Sequence, residues 1–167
     1  MKINNKLRLL LKYCFVPKTL YHGTGDNYAL NIGHQLNFLS SNKSKNENPV
    51  KNIDKNLIYF TPDIIEARKY SSVTNAKNKS YGISIFKLIL PIFRCRFKYL
   101  LEHKIVDVYT VKDELKFDSK AIKRIYFLKI DINHKDYSKL QKLISRNDSS
   151  DLEKFLETHK DWKLLKQ

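Results

Sequence analysis

The chain predicts an α+β domain with a strand-rich middle and helical ends. Three observations carry that expectation. Between residues 57 and 131, short runs rich in Ile, Leu, Phe and Tyr (LIYF, YGISIFKLIL, IKRIYFLKIDI) alternate with polar or proline-containing stretches. Beyond residue 136 the apolar positions shift to three- and four-residue spacing, with Leu140, Leu143 and Ile144, then Leu152, Phe155, Leu156 and Trp162. Of 167 residues, 42% are hydrophobic and 12% aromatic, which suits one compact core and is unlike a disordered chain.

The segment MKINNKLRLLLKYCFVPK, residues 1–18, is basic and amphipathic. Arg8 and Lys12 interrupt its apolar run and no small-residue cleavage pattern follows, so it reads as a first helix rather than a signal peptide. Residues 19–131 form the main domain, and 132–167 a helical extension packed on it. The domain opens with a short strand, Thr19-Leu20-Tyr21, that ends in a polar turn at His22-Gly23-Thr24-Gly25. A helix is expected over 26–38, capped near Asp26 or Asn27. Residues 40–56, nearly all polar around Pro49, read as a solvated loop.

LIYFT (57–61) is the next strand; Thr61 then serves as N-cap and Pro62 as first helical residue of a helix to about Tyr70. The run from Tyr81 to Leu90 is apolar enough for a buried central strand. Residues 93–104 are expected as a strand or extended segment and 105–112 as a strand, while Leu115 and Phe117 fall on one face by alternation. IKRIYFLKIDI completes the sheet, and two helices follow, the second capped by Ser149 or Ser150. No repeat is read along the chain.

Charge and cysteines bound the function. The net charge of +15 attracts anions, such as nucleic acid or an acidic protein face. The abundance of Lys, Asn and Ile also suits an AT-rich genome, which supplies lysine without selection for binding. Cys14 and Cys95 lie far apart with no CxxC or metal-type spacing, so a reduced compartment is the default and no metal is expected. No apolar run approaches the roughly 20 residues that span a bilayer.

Three segments carry candidate chemistry. In His22-Gly23-Thr24 a strand-end histidine can donate to a ribose hydroxyl, while the glycine lets a ligand lie against the backbone. Alone, such a histidine is most simply a solvated turn residue. Tyr59 and Tyr70, eleven residues apart, can sandwich a flat heteroaromatic ring. With ten tyrosines and nine phenylalanines in the chain, ordinary core aromatics are the competing reading. An acid at a strand start, Asp113 or Glu114, can hold a ribose hydroxyl and stabilise positive charge at an anomeric carbon, or can simply be a solvated terminus.

In this order, YHGT, LIYFTPDIIEARKY and DELKFDSKAI followed by Tyr126 resemble the H-Y-E branch of the ADP-ribosyltransferase superfamily over about residues 19–130. That branch includes the poly(ADP-ribose) polymerases, diphtheria-type toxins and small bacterial transferases that modify antibiotics. The resemblance implies a split antiparallel sheet with flanking helices and NAD+ as substrate. It also implies nicotinamide between Tyr59 and Tyr70 with its amide on Gly23, the adenosine ribose at His22, and Thr24 near the pyrophosphate or the acceptor.

Aligned on Phe117-Asp118, the family's glutamate falls on Asp113, with Glu114 the alternative on the opposite strand face. An aspartate there suggests single transfer rather than chain elongation. Ala67 stands where polymerases carry an amide-binding serine, a contact left to Ser71 or Ser72. The expected activity is mono-ADP-ribosyl transfer by a monomer to a nucleic acid, an acidic protein or a small molecule, in the cytoplasm or as an effector or toxin exported without a cleavable signal. Two other readings stand beside it: an NAD+-using RNA 2′-phosphotransferase, for which the arginines are few and scattered, and a non-catalytic basic nucleic-acid-binding module.

Overall fold

The computed structural model describes residues 18–44, 54–77, 82–90, 96–102, 104–119, 122–147 and 149–166. The amphipathic segment 1–17, both cysteines and most of the polar loop lie outside the described residues. In chain order the elements are β1 (Lys18–Thr24), α1 (Asp26–Gln35), β2 (Asn37–Leu39), α2 (Ser41–Ser44), β3 (Leu57–Phe60), α3 (Ile64–Lys77) and β4 (Gly82–Leu90). They continue with β5 (Arg96–Glu102), β6 (Lys104–Lys112), β7 (Glu114–Lys116), β8 (Arg124–Asp131), α4 (Tyr137–Ser145), α5 (Ser149–Glu157) and β9 (Lys163–Lys166).

The mixed α+β class is as expected, and among the described residues every strand pairing is antiparallel. The strands form a four-stranded sheet in the order β1-β4-β8-β9, a three-stranded sheet β3-β6-β5 and a ribbon β2-β7. β4 is the central strand that its apolar run indicates. Ser84, Phe86 and Leu88 are buried on one of its faces, and Ile83 and Ile85 on the other.

Each face of the main sheet meets its own core. Towards β3 and the ribbon, Leu20, Phe86 and Leu88 meet Phe38, Ile58, Phe60, Leu115 and Phe117. Phe38, fully buried, is the hub, with its ring 5.5 Å from Phe60, 5.2 Å from Phe86 and 5.3 Å from Phe117. Towards the helices, Tyr21, Ile83, Ile85, Leu128 and Ile130 meet Ile64 and Ala67 of α3, Leu140 of α4, and Leu152 and Leu156 of α5. Leu140, Leu152 and Leu156 are thus core residues, as their spacing suggests.

Several boundaries differ from expectation. β1 runs through His22 and Gly23 to Thr24, so these residues belong to the strand and not to a turn. α1 ends at Gln35 because Leu36 takes a left-handed conformation, φ 50°, and donates its N–H to the Ile32 carbonyl. The freed residues 37–39 pair with β7. The cap of α3 is Asp63 rather than Thr61: its Oδ1 accepts from the N–H groups of Ile65 (2.8 Å) and Glu66 (3.2 Å). Thr61 is still held in the sheet by Tyr21 at that point, which delays the helix start. α3 then continues past Tyr70 to Lys77.

The C-terminal segment is not wholly helical. α5 stops at Glu157, and Trp162 folds back so that its Nε1 donates to the Leu156 carbonyl at 2.9 Å. β9 then pairs with β8, which builds part of the expected extension into the main sheet.

Candidate functional site

The site lies where the sheets part. Tyr21 N–H donates to the Thr61 carbonyl at 2.7 Å, and Thr61 N–H to the Tyr21 carbonyl at 2.9 Å. In an antiparallel ladder the next such pair would be Gly23 opposite Tyr59. No strand pairing continues there, since the Tyr21–Thr61 bridge is isolated. Instead His22 places Nδ1 2.8 Å from the Tyr59 carbonyl and takes the acceptor that Gly23 would have used. By alternation, the Gly23 N–H and C=O face the opening.

This bond fixes what His22 can do. A carbonyl only accepts, so Nδ1 carries the proton and Nε2 of the neutral ring carries a lone pair. Burial lowers the His22 pKa from its ordinary value, against the opposing pull of the Tyr59 carbonyl, which keeps the ring neutral. In this tautomer Nε2 is the ring's acceptor atom, whereas the sequence reading expects the ring to donate to a ribose hydroxyl. Phe38 and Phe60 brace the imidazole at 5.5 and 5.4 Å.

Gly23 has a second constraint that the sequence reading did not foresee. A Cβ there would lie 2.6 Å from the carbonyl carbon of Ala67, closer still to its oxygen, and 3.1 Å from the Ser71 nitrogen. The glycine is needed for α3 to seat on β1, while its main chain still faces the gap.

Tyr59 lies on the same strand face as Thr61, and through the bridge on that of Tyr21 and Gly23, which is the side covered by α3. Its hydroxyl donates to the Asp54 carbonyl at 3.2 Å. Burial raises its pKa, the hydrogen bond to the Asp54 carbonyl opposes that rise, and the Asp54 and Tyr70 side chains add to it. Tyr70 is partly buried on α3, one residue before Ser71 and one turn beyond Ala67. The structure thus brings His22 Nδ1 to the Tyr59 main chain across the interrupted ladder, with the His22 ring against Phe38 and Phe60 and the Tyr59 side chain on the α3 side.

Two expected contacts go elsewhere. Ser71 is fully buried, donates to the Thr24 carbonyl at 3.0 Å and accepts from Ser84 N–H at 2.7 Å. Its single proton is engaged in holding β1 to β4, so it cannot take the serine's role towards an amide. Thr24 is buried as well, with its carbonyl bound to that hydroxyl.

Asp113 stands between β6 and β7 with φ 62°, a left-handed conformation that aspartate tolerates better than most residues. Because the chain turns there, strict alternation does not decide between Asp113 and Glu114, contrary to expectation. Asp113 is partly buried; its N–H donates to the Asn56 carbonyl at 2.8 Å and its carbonyl accepts from Ser40 N–H at 2.9 Å. It is thereby tied to the segment that enters β3 and holds the Tyr59 hydroxyl. Glu114 is exposed and turned towards β2, where Asn37 Nδ2 donates to it at 3.3 Å.

Sequence reasoning missed Phe38, whose ring backs the imidazole; a two-sided apolar neighbourhood in NFL is too short to announce it. Ser40 was also missed; its buried hydroxyl has no partner among the described residues, beside the main chain of Asp113. Chemically, the interrupted ladder offers the Gly23 main-chain donor and acceptor and a lone-pair imidazole, with the Tyr59 phenol on the α3 side and Asp113 on the adjoining segment. No protein-family model matches the chain, and no curated protein or solved structure does so either.

Proposed function

We propose that the chain is an NAD+-dependent mono-ADP-ribosyltransferase that moves ADP-ribose to an acceptor and releases nicotinamide. The observation that supports this reading is the interrupted ladder: His22 takes the Tyr59 carbonyl, and the Gly23 main chain has no strand pairing opposite Tyr59 among the described residues. The residues fit the dinucleotide. An amide pairs with one N–H and one C=O, and Gly23 offers one of each. Tyr59 and Tyr70 supply faces for a planar cation, and His22 Nε2 accepts from a sugar hydroxyl.

Bound NAD+ supplies an anomeric carbon whose bond to the pyridinium nitrogen is already polarised for cleavage. Tyr59 and Tyr70 hold the ring against rotation. Gly23 fixes its amide, and the Asp113 carboxylate stabilises the positive charge that grows on the sugar as the bond breaks. The bonding pair leaves with nicotinamide and neutralises its ring nitrogen. A lone pair of the acceptor forms the new bond, and the acceptor proton passes to Asp113 or to water.

The test is direct. Incubation with NAD+ should release nicotinamide, and isotopically labelled NAD+ should mark an acceptor that mass spectrometry of a lysate identifies. Absence of release, together with strong and steeply salt-dependent binding to DNA or RNA, would replace this reading with that of a binding module.

A further inference from the structure

The tripeptide His-Lys-Asp occurs at 134–136, in the turn between β8 and α4, and again at 159–161, in the turn between α5 and β9. The fold brings the two turns together. One ligand atom from each of His134, Asp136, His159 and Asp161 lies within 4.8 Å of the other three. His134 Nε2 is 3.2 Å from Asp161 Oδ2, and His159 Nε2 is 3.4 Å from Asp136 Oδ2, so each ring faces the carboxylate of the other tripeptide. The two rings lie 5.5 Å apart, and Phe155 places its ring edgewise to His159 at 5.0 Å. The His159 side chain is only 3% exposed.

We infer that these four side chains bind one divalent transition-metal ion of the zinc or cobalt type. With bonds of about 2.0–2.1 Å, a tetrahedral site has ligand-to-ligand edges near 3.3 Å, which the two crossed distances already match. Two imidazoles and two carboxylates neutralise a 2+ charge and suit a borderline metal. Calcium, which takes roughly 6–8 oxygen ligands, is not served by this set. Four protein ligands close the coordination sphere, so the ion's role is structural, pinning the start of α4 to the turn that leads into β9.

The competing account is an ion-free clasp. Asp136 N–H donates to His134 Nδ1 at 3.1 Å and Asp161 N–H to His159 Nδ1 at 3.2 Å. In the metal-free chain these bonds leave the ring protons on Nε2, aimed at the opposing carboxylates. Metal loading moves each proton to Nδ1 and exchanges the two main-chain bonds for metal bonds. Lys135, 3.7 Å from Asp161 Oδ2, is displaced or remains as an outer partner. An expectation based on cysteine spacing does not detect this set, whereas the repeated tripeptide does.

The experiment uses the full chain, stripped with chelator and titrated separately with Co2+ and Zn2+. Expected are one ion per chain, the intense visible bands of four-coordinate cobalt, and a zinc-dependent rise in melting temperature. Asp136→Asn and Asp161→Asn keep side-chain volume and should each weaken zinc binding by at least about tenfold, the low end of what losing even an outer-shell partner costs. His134→Ala, at a less buried ring, is the second variant and should abolish the cobalt spectrum. Absence of ion binding by the wild-type chain would overturn the proposal in favour of the clasp. Binding that persists unchanged in His134→Ala and Asp161→Asn would overturn it too.

Discussion

Replacing Gly23 by alanine tests how α3 sits on β1. The added methyl would come 2.6 Å from the Ala67 carbonyl carbon and 3.1 Å from the Ser71 nitrogen, both main-chain atoms of a helix whose Ala67 and Ser71 are fully buried. No rotamer relieves such a contact, so the helix must back away by roughly an ångström and loosen Ile64 and Ala67 against the sheet. Overpacking of this kind costs about 1–3 kcal/mol, and a rigid main-chain neighbour puts the cost at the upper end. For a chain of this size, about 3 kcal/mol corresponds to a fall in Tm of roughly 6–12 °C. Gly33→Ala is the control: it lies within α1, and a Cβ there meets nothing within 4 Å. That change should raise stability by up to about 1 kcal/mol through helix propensity. Thermal melts followed by far-UV circular dichroism read both variants. If Gly23→Ala melts within about 2 °C of wild type, the account of the β1–α3 contact is wrong.

Other outcomes follow from the same geometry. Ser71→Ala leaves the buried Ser84 N–H and Thr24 C=O without their shared partner, and urea unfolding should show a loss of about 1–3 kcal/mol. His22 has a lowered pKa in the folded chain, so the unfolded chain takes up the proton first as pH falls. Its contribution to stability is complete above the unfolded value of about 6.5 and declines as pH drops towards the folded value. His22→Gln should remove that part of the acid limb, and parallel pH profiles for the two chains would contradict the assignment. Tyr59→Phe keeps the ring and loses only the bond to Asp54, whereas under the proposed NAD+ activity Tyr59→Ala should raise the KM for NAD+ by about tenfold, through loss of stacking and contact area. Equal KM values for the two variants would exclude ring stacking at Tyr59.

Legibility in the sequence tracked how many neighbours each signal needed. β4 was plain because both its faces are buried and its run is unbroken. β9 was not, because Leu164 and Leu165 are 47% and 41% exposed and the segment becomes a strand only through β8. Trp162 matched the helical spacing by coincidence, its indole reaching back to the end of α5. Around the interrupted ladder, the strand position of Tyr59 was legible from the sequence, and that of His22 only as a strand end. The direction of the His22 hydrogen bond was not, since it depends on where the Tyr59 carbonyl points. A glycine in a sequence says that a side chain is excluded without saying by what, and at Gly23 the excluding group is a helix. The left-handed Asp113 defeated alternation, because period-two reasoning assumes an extended backbone throughout.

Among the described residues, the seam between the two sheets is held by one bridge and one imidazole, with the aromatic layer around Phe38 filling the rest. Apolar packing has no direction, unlike a ladder, where sliding by one residue turns every side chain over. The distance between the two sheets is therefore set by ring size at Phe38 and Phe60. Trimming or enlarging either ring would change how closely the sheets approach while leaving strand register intact, so that the seam can be adjusted without re-pairing a strand.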